Sequence, residues 1–350
     1  MIPAHVAEAF AYQARACADL GSPFMAQLCG LFATRPLPDT ALRHRIYTWD
    51  GDLSPRGASV PLRLCGALHA LKLKGDPALD AIYPPHSVDD ATLWEAVSAA
   101  CITHEAFIDR WIDSPPQTNE VRRSAALIAA GNWLTDHYGL PIQTSELGAS
   151  GGLNLMWDHF ALEIAAQRFG PSAADVVLRP EWSGPLPPQA QPRIVARRGV
   201  DLNPLNPRDP DDALRLRAYL WPDQPDRLTL TGAAIAINET AVAQADAIDW
   251  LANHLDQPDD TLHLIYHTIA WQYFPADVQA RGERLIVQAG ENATPNRPLA
   301  WLGMEPDDGT PGAALTLRIW PENKTIALGR VDFHGRWVQW QATPKGASHA

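Results

Sequence analysis

Residues 141–155, PIQTSELGASGGLNL, set one carboxylate, Glu146, two positions ahead of the small-residue run Gly148-Ala149-Ser150-Gly151-Gly152. Glycine reaches positive φ without steric cost and lets a backbone come close to a ligand. A helix entered through such a turn directs its first unpaired N–H groups to the same spot. The apolar run before the turn reads as a strand and the run after it as a helix, so Glu146, Gly148, Ser150 and Gly152 outline a cofactor cradle. The acidic residue discriminates between cofactors. It repels the pyrophosphate of a dinucleotide and suits an ammonium, a sulfonium and ribose hydroxyls, the groups carried together by S-adenosylmethionine (SAM).

In an open parallel sheet, ligands bind beyond the carboxyl ends of the strands, so the last residue of each strand-like run matters. Asp201 ends the run from Ile194 and could accept both ribose hydroxyls; a turn or cap role before Asn203-Pro204 is the structural alternative. Asp246 stands between a strand and a helix. There it could cap the helix, and it could also accept an adenine amine while the Ala247 amide donates to the ring. The run from Leu262 ends at His267, a residue type suited to general-base work near neutral pH, with Trp271 and Tyr273 beyond it as candidate walls of a substrate pocket. Asn119 and Arg123, in QTNEVRRS, are candidates for the amino-acid end of the cofactor, Asn119 also as a helix cap.

These residues need a scaffold. Residues 1–115 read as helices: His5 to Leu20, a second start capped by Ser22 with Pro23 in the first turn, Ser59 to Lys74 with Ser59 as cap, and a long amphipathic stretch from Asp90 to Ile112. A helix from about Thr118 to Tyr138 leads into the cradle strand. Strand-like runs then fall at 141–146, 193–201, 242–246, 262–268, 299–305, 314–320 and 326–340. Helical segments fall at 152–169, 211–221, 247–254 and 276–290, and 180–192 is a proline-rich loop. Alternation of strand and helix implies an α/β fold with a mainly parallel sheet covered on both faces. The last runs, with no long helix between them and a turn at Phe333-His334-Gly335-Arg336, read as an antiparallel ending.

The 350 residues fit two domains, here 1–115 as a helical cap and 116–350 as the ligand-binding domain. A net charge of −12 argues against a nucleic-acid partner. No apolar run approaches the roughly 20 residues of a membrane span, and the start lacks the basic and apolar blocks of a secretory signal; a cytoplasmic protein is expected. Cys17, Cys29, Cys65 and Cys101 form no metal or redox spacing and read as buried free thiols.

With these residues in place, 117–340 resembles the class I SAM-dependent methyltransferases: Glu146, Gly148, Ser150 and Gly152 follow their first motif, with Ser150 in place of the middle glycine, and Asp201 and Asp246 their acidic strand ends. The resemblance implies a Rossmann-like seven-stranded sheet of order 3-2-1-4-5-7-6. It departs from the pattern at His267-Thr268, where amino-group methyltransferases carry Asn/Asp-Pro-Pro-Tyr/Phe. The whole chain is also similar to a bacterial family of unknown function, through QTNEVRRS, ELGASGGLNL, GVDLNPLN, WPDQPDR and HGRWVQW. The expectation is a SAM-binding protein that methylates a small molecule. The competing readings are a non-catalytic SAM sensor or interaction module and, less compatible with Glu146, an NAD-dependent oxidoreductase.

Overall fold

A computed structural model describes residues 1–343. The chain divides into two compact units, Met1–Thr118 with Arg208–Thr229, and Asn119–Pro207 with the chain from Leu230. The helical unit thus draws on two stretches of chain, the second lying within 116–350.

In chain order the first helices are α1 (Ala4–Asp19), α2 (Pro23–Thr34), α3 (Ala41–Tyr47), α4 (Val60–Leu73), α5 (Pro77–Asp80), α6 (Asp90–Thr103) and α7 (Glu105–Trp111). Ser22 accepts from the Met25 amide at 3.3 Å, the cap expected of it. Ser59 precedes α4 with φ 52° and makes no side-chain cap bond, so that start is held by packing. The stretch 90–112 is broken at His104 into α6 and α7. All four cysteines are free and buried, with the sulfurs of Cys29 and Cys65 3.7 Å apart.

The second unit starts with α8 (Ser124–Tyr138), entered through a 3-10 turn at Val121–Arg123, and β1 (Ile142–Leu147). Next come β2 (Ala161–Ile164), β3 (Gln167–Phe169), β4 (Val177–Leu178), β5 (Glu181–Ser183) and β6 (Ile194–Asp201). After α9 (Pro210–Ala218) in the helical unit, α10 (Pro225–Ile237) precedes β7 (Val242–Gln244), α11 (Ala247–Ala252), β8 (Leu262–Thr268), α12 (Ala276–Glu291) and β9 (Leu299–Glu305). The chain closes with β10 (Ala313–Trp320), β11 (Lys324–Val331) and β12 (Trp337–Trp340).

Among the described residues, the main sheet has nine strands in the order β5-β12-β11-β10-β9-β8-β1-β6-β7. The strands from β9 to β7 pair in parallel and keep the expected 3-2-1-4-5 order. The expected 7-6 ending is absent. β9, β10, β11 and β12 form an antiparallel meander, with β5 added in parallel at the edge. Three residues, 321–323, join β10 to β11, too few for anything but neighbouring antiparallel strands. The expected helix 152–169 is also replaced: a kinked 3-10 stretch, Leu153–His159, runs into the β2–β3 hairpin, whose turn holds Ala165 and Ala166 at φ 48° and 60°.

β1 is buried along its whole length, as a central parallel strand must be. On one face its core includes α8, Trp157 and the side chains of Leu264 and Tyr266; on the other, α11 and α12 pack over Leu147, Val200 and Ile265. The first face is closely fitted at Gly131, where an added Cβ would lie 2.3 Å from the buried Trp157 ring. Gly131→Ala is expected to lower stability by about 1–2 kcal/mol despite the better helix propensity of alanine. Gly232→Ala in α10, with open space around the new Cβ, should be neutral or stabilising. Urea midpoints of the two variants check the contrast.

Candidate functional site: a buried carboxylate at the end of the central strand

The register of the central strands decides which side chains meet. Glu146 is paired with Tyr266 across β1 and β8, and both side chains point to the α8 face. The Tyr266 hydroxyl lies 3.2 Å from Glu146 Oε2 and 3.2 Å from the Asn154 carbonyl. Asn154 is fixed in turn, its Oδ1 accepting from the Ser124 hydroxyl at 2.8 Å and its Nδ2 donating to the Glu120 carbonyl at 3.3 Å. Glu146, Tyr266, Asn154, Ser124 and Glu120 are all at least 98 % buried.

One phenolic proton cannot serve two acceptors equally. With Glu146 neutral, its O–H can donate to the Tyr266 oxygen while Tyr266 donates to Asn154. With Glu146 ionised, the phenol turns to the carboxylate and the Asn154 carbonyl loses its donor. Burial pushes the Glu146 carboxyl up, the Tyr266 bond opposes this, the Asp201 charge adds to it and Arg123 again opposes; the result is about 8. Among the described residues Glu146 Oε1 has no hydrogen-bond partner. The buried Ser150 hydroxyl also lacks one.

The glycine turn is built differently from the expected cradle. Gly148, Ser150 and Gly152 all have positive φ, 75°, 54° and 71°. The space left by the absent side chains is taken by protein: a Cβ on Gly148 would meet that of Ala270 at 2.6 Å, and one on Gly152 would meet Thr240 and Val242 at 2.8 and 2.9 Å. The amides are used internally as well. Those of Gly148 and Ala149 donate to the Val200 carbonyl, that of Ser150 to Asp201 Oδ2 at 2.9 Å, and that of Leu153 to Asn119 Oδ1 at 2.9 Å. What the turn offers a ligand is therefore side chains, Glu146 Oε1 and Ser150 Oγ, rather than a ring of free N–H groups.

The other sequence candidates fall into two groups. Asn119, Arg123 and Asp201 join Glu146 at the carboxyl end of β1. Asn119 does not cap the helix leading to β1; Glu120 accepts from the Arg122 amide in that role. Arg123 donates to the Thr268 carbonyl at 3.1 Å and the Phe333 carbonyl at 2.9 Å, tying the end of β8 to the β11–β12 turn. Asp201 also accepts from the Asn203 amide at 2.9 Å, so it braces the turn. Asp246 caps α11, Oδ1 taking the Ile248 and Asp249 amides, with Ala247 opening the helix.

His267 and Trp271 lie elsewhere. Successive strand residues face opposite ways, so a Tyr266 that meets Glu146 sends His267 to the α12 face. There its Nδ1 faces Glu305 Oε1 at 2.8 Å and its Nε2 accepts from the Trp301 indole at 3.0 Å. Those partners fix the Nδ1–H tautomer and leave neither nitrogen to take a proton from an acceptor. The ring is 3 % exposed and stacks on Trp271. The general-base expectation thus meets a ring with both nitrogens engaged, and Trp271 is turned against that ring and Gly282. Tyr273 is 72 % exposed. Tyr266 and Glu305 lie outside every motif quoted from the sequence, and Asn154, though inside ELGASGGLNL, is not singled out there. The parity of β8 against Glu146 is the signal that would have found Tyr266.

Fold and site together define an α/β protein with a buried carboxylate and a left-handed glycine turn at the end of its central parallel strand. The chain belongs to the bacterial family described as "Uncharacterized protein conserved in bacteria (DUF2332)", whose model matches residues 7–340. No curated protein is detectably similar to it. No described helix is long and apolar enough to cross a membrane.

Two outcomes follow from the geometry. Because the folded-state Glu146 value lies above the usual 4.5, its contribution to stability is complete below about pH 4.5. That contribution falls by up to about 1.4 kcal/mol per pH unit towards pH 8. Glu146→Gln should therefore flatten the decline of melting temperature between pH 5 and 8, as scanning calorimetry would show. Asp201→Ala, which takes the acceptor from the part-buried Ser150 amide, should cost roughly 1.5–3 kcal/mol for that charge-assisted bond and lower the unliganded melting temperature by several degrees.

Proposed function

We propose that the protein binds SAM at the carboxyl end of β1 and transfers its methyl group to a small-molecule acceptor. The observation that carries this reading is Glu146, 98 % buried with Oε1 uncommitted, at the end of the strand that leads into the turn holding a second buried and unpartnered oxygen, the Ser150 hydroxyl. A carboxylate so buried is stable in its ionised form only with a cation against it. The 3-2-1-4-5 strand order and the acidic residues at the ends of β1 and β6 agree with the resemblance to class I methyltransferases.

In this reading Glu146 holds the ammonium end of the ligand, and Tyr266 supplies the hydrogen bond that steadies the ionised carboxylate. Asp201 keeps the Ser150 turn in shape and offers its remaining lone pairs to ribose hydroxyls. SAM would supply a methyl on an already activated sulfonium, so the protein's task is to hold an acceptor in line with it. A second reading, a non-catalytic SAM-binding module, is favoured by one observation: His267, at the end of the fourth strand in order, has both ring nitrogens engaged.

Calorimetry with SAM, S-adenosylhomocysteine and NAD tests the binding. The first two are expected to bind at micromolar concentration and NAD not at all; NAD binding without SAM binding would remove the proposal. Titrations at pH 7 in buffers of different ionisation enthalpy should show proton release on SAM binding, since the carboxyl that is neutral in the free site ionises against the cation. Glu146→Gln should abolish that release and weaken binding at least tenfold. Formation of S-adenosylhomocysteine in the presence of cell metabolites separates the catalytic from the non-catalytic reading.

A further inference from the structure

Ile269 follows the end of β8 with φ 53°, a conformation that is a true outlier for a β-branched residue. Such a backbone persists only where its surroundings over-determine it. Here they do. Glu305, the last residue of β9, accepts the Ala270 amide at 2.9 Å, the Trp271 amide at 3.0 Å and the His267 ring at 2.8 Å, all on one oxygen. Burial opposes ionisation of Glu305, and the bonds from His267, Ala270 and Trp271 outweigh it, holding the carboxyl below the usual range. The Ile269 amide donates to the Met304 carbonyl at 2.8 Å. Held this way, Ala270 presses into the space beside Gly148, and Tyr273 projects into solvent.

We infer that Glu305 is a positioning residue that locks Ile269–Tyr273 against the glycine turn and so shapes the ligand site without touching the ligand. Four donors converge on this carboxylate, the fourth being the Gln272 amide at 3.5 Å from its other oxygen. Its removal frees the amides of Ala270 and Trp271 and the His267 ring at once, and leaves the strained Ile269 with fewer restraints, its own amide's bond to Met304 among those that remain. The segment would relax away from Gly148, and the turn beside Glu146 would lose the wall behind it. That the wall matters to a ligand rests on the SAM reading; that Glu305 holds the segment does not.

The test uses the full chain and the Glu305→Leu variant, which keeps much of the side chain's volume and removes both acceptor oxygens. Hydrogen exchange of the Ala270 and Trp271 amides should speed up at least tenfold, while core amides of β1 and α8 keep their protection. S-adenosylhomocysteine affinity, measured well below the melting temperature, should fall about tenfold. Adding Ile269→Gly, which accepts positive φ without strain, should recover part of the lost protection and affinity, a rescue that a general loss of stability would not give. Unchanged exchange at Ala270 and Trp271 in Glu305→Leu would overturn the inference. So would faster exchange with wild-type affinity. If the wild-type chain binds no SAM or S-adenosylhomocysteine, the proposed function fails, and the exchange data still decide whether Glu305 holds the segment.

Discussion

The pairing of Glu146 with Tyr266 across β1 and β8 sets most of what is distinctive here. It places an ionisable carboxylate at the end of a fully buried strand and, among the described residues, gives it a phenol as its hydrogen-bond partner. The same pairing fixes the parity of both strands. Everything on the Glu146 side, Asn154, Ser124 and Glu120, is organised to hold that phenol. Everything on the other side, His267, Trp271 and Trp301, packs towards α12. One register thus sends the Glu146–Tyr266 pair and the His267 ring to opposite faces of the sheet.

A buried carboxyl with one weakly committed donor is poorly stabilised when charged, and the protein carries that cost in its folded state. Residues that perturb stability in this way concentrate at functional sites. The backbone of the turn is committed within the protein: its amides are bonded to Val200, Asp201 and Asn119, and the Gly152 carbonyl accepts from Asn238 and Thr240. The uncommitted groups, Glu146 Oε1 and Ser150 Oγ, stand out against that background. Strain at Ile269, clamped by Glu305 on the adjoining segment, adds a second place where local stability is given up next to the same turn.

The arrangement of glycines shows why a motif and its physics can part company. Gly148 and Gly152 need their positive φ, as the sequence suggests. The volume they vacate is filled by Ala270, Thr240 and Val242. The same small residues that would admit a ligand's backbone contact here admit the protein's own segments, and only the positions of β7 and the tail of β8 distinguish the two outcomes.

The sequence by itself determined β1, β6, β7, β8 and β9 in their main outline, the Ser22 cap, the burial of the four thiols, the Phe333–Arg336 turn and the acidic residues at the ends of β1 and β6. These follow from short-range period, turn chemistry and capping. The tertiary structure decided three things that local pattern does not contain. Strand order past β9 turned on a three-residue connection, so a meander replaced a crossover. The segment 152–169 became a 3-10 stretch and a hairpin because Trp157 and Phe160 are buried in the core, with Ala165 and Ala166 adopting the left-handed turn. Which face His267 occupies could be read only relative to Glu146, because a two-residue period gives the alternation of side chains but not the side on which it begins. Register across neighbouring strands supplies that origin, and with it the identity of Tyr266 as the partner of Glu146.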